Sequence, residues 1–294
     1  MTTPTRPTAL VTGASRGIGR GIALALAEAG YDVGVNYASS QPEALAVADA
    51  CRAAGVRADA MHADVGDISD IEALFANFLG RFGHLDLLVN NAGIGLKVPF
   101  LETTEEQYDR VMDVNLRGVF FCTQAAARAM VARGQGGVII NNTSIHQEIQ
   151  HPNTSVYGPA KAALEKFTRH AALELAPYGI RVNAVAPGAT ITQEGLEATP
   201  HWKLVRSRIP LGRHGLPEDV ARAVVFLASE QASYITGASL TIDGGAVLPA
   251  GLLSAYTPGP EPCTPDGAVR KGACGGRPTT LSARHGSRAA WTPS

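Results

Sequence analysis

Short apolar runs alternate with longer amphipathic stretches from residue 8 to about residue 245. The short runs are apolar on both faces, which is typical of strands buried in a parallel sheet. The predicted strands are Thr8–Thr12, Asp32–Asn36, Arg57–His62, Leu85–Asn90, Val138–Asn142, Arg181–Ala186 and Ser239–Asp243. The longer stretches repeat apolar residues at helical spacing, and the predicted helices are Gly17–Ala29, Pro42–Ala54, Ile68–Phe82, Thr104–Val131, Ser155–Leu175 and Pro217–Ala228.

This alternation of strands and helices predicts an α/β fold. Right-handed crossovers would build a doubly wound parallel sheet of the Rossmann type, with helices on both faces. We expect one domain over residues 1–249. Residues 250–294 are rich in Gly, Pro, Ser and Thr without a hydrophobic period, so they are predicted to be a disordered and dispensable tail.

Composition and charge narrow the classes of partner. Hydrophobic residues make up 45% of the chain and charged residues 17%, and the formal net charge is −1. The chain lacks the basic field that attracts nucleic acid, so we expect a small-molecule substrate. Its four cysteines form no C-x-x-C pair and stand beside no histidine cluster, so no metal site is predicted. No signal peptide or membrane-length apolar run is visible, which predicts a cytoplasmic protein.

A glycine-rich loop follows the first predicted strand and precedes the first predicted helix. Its sequence, from Thr12 to Gly19, is TGASRGIG. Glycines allow a sharp turn and a close approach to a pyrophosphate, and the helix N-terminus offers free N–H groups to the anion. In this context the loop predicts dinucleotide binding, although three glycines alone also occur in ordinary tight turns.

The end of the second strand indicates which dinucleotide is bound. A carboxylate there would accept hydrogen bonds from the ribose 2′-hydroxyl of NAD. This strand ends instead with Asn36 and the sequence YASS, while Arg16 in the glycine loop can face a 2′-phosphate. The pattern favours NADP(H); NAD(H) remains the alternative if Arg16 is only a solvated loop charge.

Candidate acid/base residues occur in the second half of the chain. Tyr157 and Lys161 are spaced to share one face of a helix, where an ammonium can stabilise a phenolate. Moving the tyrosine pKa from 10 to 7 would take about 4 kcal/mol. With Ser155 as N-cap, Pro159 would fall in the first helical turn, where its missing N–H costs nothing. Ser144 follows the fifth strand and could hold the substrate oxygen.

These segments together resemble the short-chain dehydrogenase/reductase family over about residues 6–248. The matching segments are Thr12–Gly19, NNAG at 90–93, Asn115 in VNLRG, Ser144, Tyr157 with Lys161, and Pro187-Gly188. The resemblance implies that Tyr157 is the general acid/base, that Lys161 lowers its pKa and holds the nicotinamide ribose, and that Ser144 polarises the carbonyl. It implies that Asn115 maintains a water-mediated proton relay, although Asn115 could equally kink the helix or bond to backbone. It also implies a homotetramer, packed through the helices around Asn115 and Tyr157.

The family resemblance further implies a set of cofactor-binding residues. Asp64 is expected to contact the adenine, Asn91 and Gly93 to line the groove, and residues 187–192 to meet the nicotinamide amide. The predicted set is Gly13, Ser15, Arg16, Gly17, Ile18, Gly19, Asn36, Asp64, Val65, Asn91, Gly93, Tyr157, Lys161, Pro187, Gly188 and Thr192.

Substrate-contacting residues are less sharply indicated. His146, Gln147 and Glu148 resemble the segment after the catalytic serine of bacterial glucose 1-dehydrogenases, with the glutamate displaced by one, and could bond sugar hydroxyls or form a solvated loop. A lid is predicted near Gln193–Ile209, where Trp202 could cover the substrate.

Three hypotheses follow. The leading one is an NAD(P)(H)-dependent oxidoreductase that interconverts a secondary alcohol and a ketone, or a lactol and a lactone, on a sugar, a polyol or a small keto substrate. The alternative enzyme is a 3-ketoacyl-thioester reductase, for which Arg128, Arg133 and Arg169 are candidate contacts to an acidic carrier protein. A non-catalytic NADP(H)-binding redox sensor belongs to another class, and the presence of all four predicted catalytic residues argues against it.

Overall fold

Seven strands form one parallel sheet in the computed structural model, which describes residues 6–248. The strands are β1 (Thr8–Val11), β2 (Asp32–Tyr37), β3 (Ala58–His62), β4 (Leu87–Asn90), β5 (Gly137–Asn142), β6 (Ile180–Pro187) and β7 (Ser239–Ile242). Their order across the sheet is β3-β2-β1-β4-β5-β6-β7. The doubly wound parallel sheet predicted from the sequence is therefore confirmed.

The strand order reverses beside β1, which pairs with β2 on one side and β4 on the other. Leu10 of β1 lies in register with Gly34 of β2 and with Leu88 of β4. The connections from β1 to β2 and from β4 to β5 leave in opposite directions, so a crevice opens between them at the carboxyl ends of the strands. The loop that follows β1 therefore borders the expected ligand crevice.

Eight α-helices connect the strands of this sheet within the described range. They are α1 (Gly17–Glu28), α2 (Gln41–Ala53), α3 (Ile68–Phe82), α4 (Glu105–Met112), α5 (Gly118–Arg133), α6 (Tyr157–Leu175), α7 (Pro200–Arg206) and α8 (Pro217–Ala228). The apolar side chains of α1, α2 and α8 cover one face of the sheet, and those of α3, α5 and α6 cover the other.

Alternation along each strand supplies both cores. In β1, Ala9 and Val11 join the cluster beneath α1, α2 and α8, whereas Leu10 joins the opposite cluster beneath α3, α5 and α6. All three are fully buried. Because the side chains of a strand point alternately to the two faces, strands covered on both sides must be apolar throughout. This is the reason that short continuous apolar runs identified them.

The predicted helix Thr104–Val131 is divided in the structure. A π-helical segment, Asp113–Arg117, separates α4 from α5 and contains the buried Asn115. Hydrophobic spacing could not reveal it, because a single wide turn leaves the pattern on either side nearly unchanged. Such segments occur frequently at functional sites.

The start of α6 also differs from the sequence prediction. The helix begins at Tyr157, with Val156 rather than Ser155 at the N-cap position. Pro159 is then the third residue of the helix and still lies in the first turn, so its missing N–H removes no helical hydrogen bond.

Three further predictions concern the C-terminal tail, membrane spans and metal sites. The predicted disordered tail, residues 250–294, lies outside the residues that the structure describes. Between residues 6 and 248, no helix is both long and apolar enough to cross a membrane. The same residues contain no group of three or more His, Cys, Asp or Glu side chains placed to hold a metal ion.

Candidate active site

A cleft of about 700 Å³ lies at the carboxyl ends of the central strands. Every residue of the predicted cofactor set lines this cleft, as do Ser144, Tyr157 and Lys161. The residues come from the loops after β1 to β6 and from the start of α6, which the parallel topology brings to one edge of the sheet. Asn115, His146, Gln147 and Glu148 are absent from the lining, and Trp202 of α7 is part of it.

The glycine loop is held tightly against the loop that follows β4. Gly13 has a φ of +61°, and a Cβ added there would lie only 2.8 Å from the Cα of Ala92. The side-chain amide of Asn91 donates to the carbonyl oxygens of Thr12 (2.9 Å) and Gly13 (3.0 Å). Both the left-handed conformation and the close approach require glycine at position 13.

The N-terminus of α1 is suited to receive an anion. The helix starts at Gly17, no side chain caps it, and its first turn contains no acidic residue. Free N–H groups at the positive end of a helix dipole favour a phosphate group. A narrow glycine cradle followed by an uncapped helix start fits the pyrophosphate of a dinucleotide.

Asn36 lines the cleft as predicted from the sequence, but its side chain is engaged by backbone groups. It is buried, its side-chain oxygen accepts from the backbone N–H of Gly13 (3.1 Å), and its amide donates to the carbonyls of Met61 and Ala63. Asn36 therefore braces the glycine loop and the end of β3, and its amide is not free to bind a ribose. Polar groups beyond it on the cleft come from Ser39 and Ser40, and Arg16 is exposed in the loop.

Asp64 lies on the cleft in an ion pair that sequence reasoning missed. Its carboxylate accepts from the backbone N–H of Gly66 (2.9 Å) and lies 2.8 Å from the guanidinium of Arg110, on α4. Arg110 also lines the cleft. A partner on a distant helix leaves no spacing signal in the sequence, so this pair could be found only from the structure.

Lys161 is buried next to Tyr157. Only 3% of Lys161 is exposed, its ammonium donates to the carbonyl oxygen of Asn142 (2.8 Å), and its Nζ lies 5.8 Å from the centre of the Tyr157 ring. Burial lowers the pKa of Lys161 to about 8. The ammonium is therefore mostly charged at neutral pH and loses its proton at moderately alkaline pH.

The pKa of Tyr157 shifts in the direction opposite to the prediction. Burial raises the pKa of the hydroxyl above its ordinary value, and a hydrogen bond with Ser144 opposes this increase only in part. Desolvation favours the neutral phenol over the phenolate. Tyr157 is therefore a protonated group at neutral pH, ready to donate.

Asn115 does not line the cleft but bonds to the backbone of a loop that does. Its side-chain oxygen accepts from the N–H of Ile94 (3.0 Å) and its amide donates to the carbonyl of the same residue (2.8 Å). A Cβ added to Gly93 would lie 2.8 Å from the Asn115 side-chain oxygen and 3.5 Å from the Lys161 ammonium. Asn115 thus fixes the 93–94 backbone beside Lys161, in line with the backbone-bonding role that sequence reasoning left open.

The three polar residues after Ser144 separate into different environments. The ring of His146 lies edge-on to the Tyr157 ring, with centroids 5.5 Å apart, and burial is the main cause that lowers the pKa of His146. Gln147 instead donates to the Ser239 hydroxyl at the start of β7 (3.1 Å) and to Glu148 (3.3 Å). Of the three, only His146 contacts the predicted acid/base residue.

Comparisons with known proteins agree with this geometry. A family model described as Enoyl-(Acyl carrier protein) reductase matches residues 13–247. The chain is 44% identical over 241 residues to the 3-oxoacyl-(acyl-carrier-protein) reductase FabG of Staphylococcus aureus, covering 82% of this chain and 98% of that protein.

Two solved structures have closely similar folds. Acetoin dehydrogenase YohF from Salmonella typhimurium superposes with a TM-score of 0.77 at 39% identity, covering 83% of this chain and 96% of the other. The angucycline C-6 ketoreductase LanV with bound NADP has a TM-score of 0.77 at 40% identity, covering 82% and 96%. The family match and the extent of these identities mean that the chain is an NAD(P)-dependent oxidoreductase that belongs to the short-chain dehydrogenase/reductase family.

Proposed function

We propose that the protein transfers hydride between NADP(H) and the carbonyl or secondary alcohol carbon of a small polar substrate, such as a hydroxyketone, a polyol or a sugar. The observation that carries the proposal is the convergence of Ser144, Tyr157 and Lys161 in the cleft that also contains the glycine loop. A proton donor and a hydrogen-bonding hydroxyl beside the cofactor groove are what carbonyl reduction requires.

The proposed reaction assigns a separate task to each side chain. The bound nicotinamide supplies or accepts the hydride. In the reduction direction, the protonated Tyr157 hydroxyl gives its proton to the substrate oxygen, while the Ser144 hydroxyl donates a hydrogen bond to the same oxygen. In the oxidation direction, Tyr157 must accept that proton as a phenolate, and the positive charge of Lys161 favours the phenolate. Asn115 keeps the 93–94 backbone in place beside Lys161.

The preference for NADP(H) rests on charge at the adenosine end of the cleft. Arg16 is exposed there, and the cleft is lined by Tyr37 at the end of β2 and by Ala38, Ser39 and Ser40 after it, none of them a carboxylate. An arginine and hydroxyls suit a 2′-phosphate, whereas NAD binding generally uses an acidic residue at this position. The bound NADP of the similar ketoreductase supports the same preference.

The proposed size of the substrate rests on Trp202 and on a similar enzyme. Trp202 is one of the residues that line the cleft, and one of the similar solved structures is an acetoin dehydrogenase, named for a four-carbon hydroxyketone. The second candidate is a 3-ketoacyl-thioester reductase, favoured by the 44% identical FabG. Two of its three candidate carrier contacts are already paired, Arg133 with Asp86 and Arg169 with Glu165, which weakens the support for a carrier protein.

We also propose that the protein is a homotetramer assembled through α5 and α6. Large apolar side chains on these helices are exposed in the single chain, among them Phe120 (43%) and Leu173 (76%). Exposed apolar groups of this size favour contact with another protein surface.

Replacement of Tyr157 with Phe tests the proposed chemistry. The variant keeps the ring but removes the proton donor, so we expect kcat for ketone reduction to fall by about 10²-fold or more while NADPH binding persists. Initial rates with acetoin, a sugar and polyol panel and a 3-ketoacyl thioester measure turnover, and fluorescence titration measures NADPH binding. Undiminished turnover in the folded variant would refute the mechanism. NADPH binding by a wild-type protein that turns over no substrate would indicate the sensor class instead.

A further inference from the structure

The cleft residue Trp202 is held by a buried imidazole from another part of the chain. His214 is only 6% exposed, and its Nε2 lies 2.8 Å from the backbone carbonyl oxygen of Trp202. The two rings meet edge to face, with centroids 5.1 Å apart at 66°. A carbonyl oxygen can only accept, so this hydrogen bond requires the proton of His214 to be on Nε2.

His214 is attached to the wall of the cleft on its C-terminal side. The N–H of Gly215 donates to the carbonyl of Ala189, and the N–H of Ile191 donates to the carbonyl of Gly215, both at 2.9 Å. Ala189 and Thr190 line the cleft. Position 214 is therefore tied through Gly215 to residues 189–191, the segment that follows β6.

A second attachment lies on the N-terminal side of His214. The Arg213 guanidinium makes two hydrogen bonds to the carboxylate of Asp219, at 2.6 and 3.0 Å. The same carboxylate accepts from the N–H of Leu216 at the start of α8. This bidentate pair fixes the backbone of residues 213–216 to α8.

The helix that carries Trp202 has little anchorage of its own. None of the seven residues of α7 is buried. Thr199 caps its first turn, and the side chain of Arg206 donates to the carbonyl of Gly212 (2.8 Å) at its last turn. Among the described residues, the contact with His214 is the buried polar contact that ties the middle of this helix to the rest of the domain.

We infer that His214 is a positioning residue that sets Trp202 as the wall of the substrate end of the cleft and so limits the length of ketone that the enzyme accepts. The inference rests on the proposed function and adds its selectivity. Residues 213–216 are fixed to the domain, and the His214 hydrogen bond connects α7 to them. In this proposal the indole of Trp202 then occupies the space that the alkyl chain of a longer ketone would need.

A series of methyl ketones of increasing length, reduced with NADPH, tests this inference. For Trp202→Ala we expect the ratio of kcat/KM for long over short ketones to rise by about tenfold, an effect in the range that hydrophobic pockets exert on one or two methylene groups. For His214→Ala we expect the same change of profile, with a higher KM for short ketones and nearly unchanged kcat. His214→Gln retains an N–H donor in place of Nε2 and should restore the wild-type profile. Leu204→Ala, on the same helix and outside the cleft lining, is the matched control.

A second readout does not depend on turnover. The chain has two tryptophans, so in a Trp291→Phe background Trp202 is the only one. We expect acrylamide to quench Trp202 fluorescence more strongly in His214→Ala than in wild type or His214→Gln. Equal quenching in all three proteins, or an unchanged chain-length profile in both Trp202→Ala and His214→Ala, would overturn the inference. A wild-type protein that turns over neither a ketone nor any member of the sugar and polyol panel would instead refute the proposed function, and the quenching comparison would still decide whether His214 holds Trp202.

Discussion

The burial of Lys161 makes the stability of the protein depend on pH. The folded-state pKa of Lys161, about 8, lies below the ordinary value of 10.5, because burial penalises the ammonium. Between these two pH values the unfolded chain binds more protons than the folded chain, so the Lys161 contribution makes the protein more stable as the pH rises through this window. Below pH 8 the full cost of burying the charge is present.

Replacement of Lys161 with Met should therefore increase stability while it removes activity. We expect the free energy of unfolding at pH 7 to rise on the order of 2 kcal/mol, since the desolvation cost exceeds the lost hydrogen bond to Asn142. The gain should shrink as the pH rises from 8 toward 10.5. Urea unfolding across this pH range measures it, and Lys166→Met, at an exposed position on the same helix, is the control. A Met variant that is less stable than wild type at every pH would contradict the assigned cost.

Arg16 is the residue that should decide between the two nicotinamide cofactors. In Arg16→Ala we expect KM for NADPH to rise about tenfold or more, because the variant loses one charge-assisted hydrogen bond to the 2′-phosphate. KM for NADH should be nearly unchanged. Steady-state kinetics with both cofactors check this. Arg20→Ala, one turn into α1 and outside the cleft lining, should change neither value. Equal losses for NADPH and NADH in Arg16→Ala would mean that Arg16 does not contact the 2′-phosphate.

The roles of single residues could be predicted from the sequence where a local motif sets their position. They could not be predicted where tertiary contacts set it. The glycine loop and the Tyr157–Lys161 pair have spacings set by one loop and one helix, and both line the cleft. The bracing role of Asn36 depends on backbone atoms from three segments, and the Asp64–Arg110 pair joins distant elements. The raised pKa of Tyr157 depends on the burial of its hydroxyl, which spacing does not reveal.

The junction between the π-helical segment and α5 is the element most sensitive to added volume. A Cβ at Gly118 would overlap the backbone carbonyl oxygen of Val65, next to the cleft. For Gly118→Ala we expect a loss of roughly 1–3 kcal/mol in the free energy of unfolding, because backbone must move to make room. Chemical denaturation measures this loss, and we expect NADPH affinity to fall with it because Val65 lines the cleft.

Gly80 provides a matched control for this substitution. It lies in α3 with open space around its would-be Cβ. Gly80→Ala should stabilise the protein by about 1 kcal/mol through helix propensity alone. If both alanine variants shifted stability alike, close packing at Gly118 would not be the cause.

The sheet and six of its helical segments could be predicted because each buries a continuous apolar face. The short helix α7 has no buried residue, so hydrophobic periodicity gives no signal for it. The π-helical turn contains Asn115, whose side chain bonds to the Ile94 backbone 21 residues away. Elements defined by long-range partners therefore need the structure.

The proposed tetramer makes a prediction for the whole molecule. Phe120 of α5 is part of the exposed apolar surface, and its ring lies 5.3 Å, centroid to centroid, from that of the half-buried Phe167 of α6. Phe120→Arg places a charge in the proposed interface, so we expect light scattering after size-exclusion chromatography to give dimers or monomers where wild type gives tetramers. Leu45→Arg, on the opposite face of the sheet, should stay tetrameric. A monomeric wild type would refute the assembly.

The parallel order of the sheet also fixes when, during synthesis, the protein can first bind its cofactor. The glycine loop leaves the ribosome first, yet it is completed by strand β4, which pairs with β1 from nearly 80 residues later, and by the loop after β6 near residue 190. A nascent chain that ends before residue 190 therefore has no complete binding cleft. A ligand that binds only the folded state stabilises only that state. NAD(P) binding therefore stabilises complete chains, whereas prematurely terminated chains gain no protection from proteolysis.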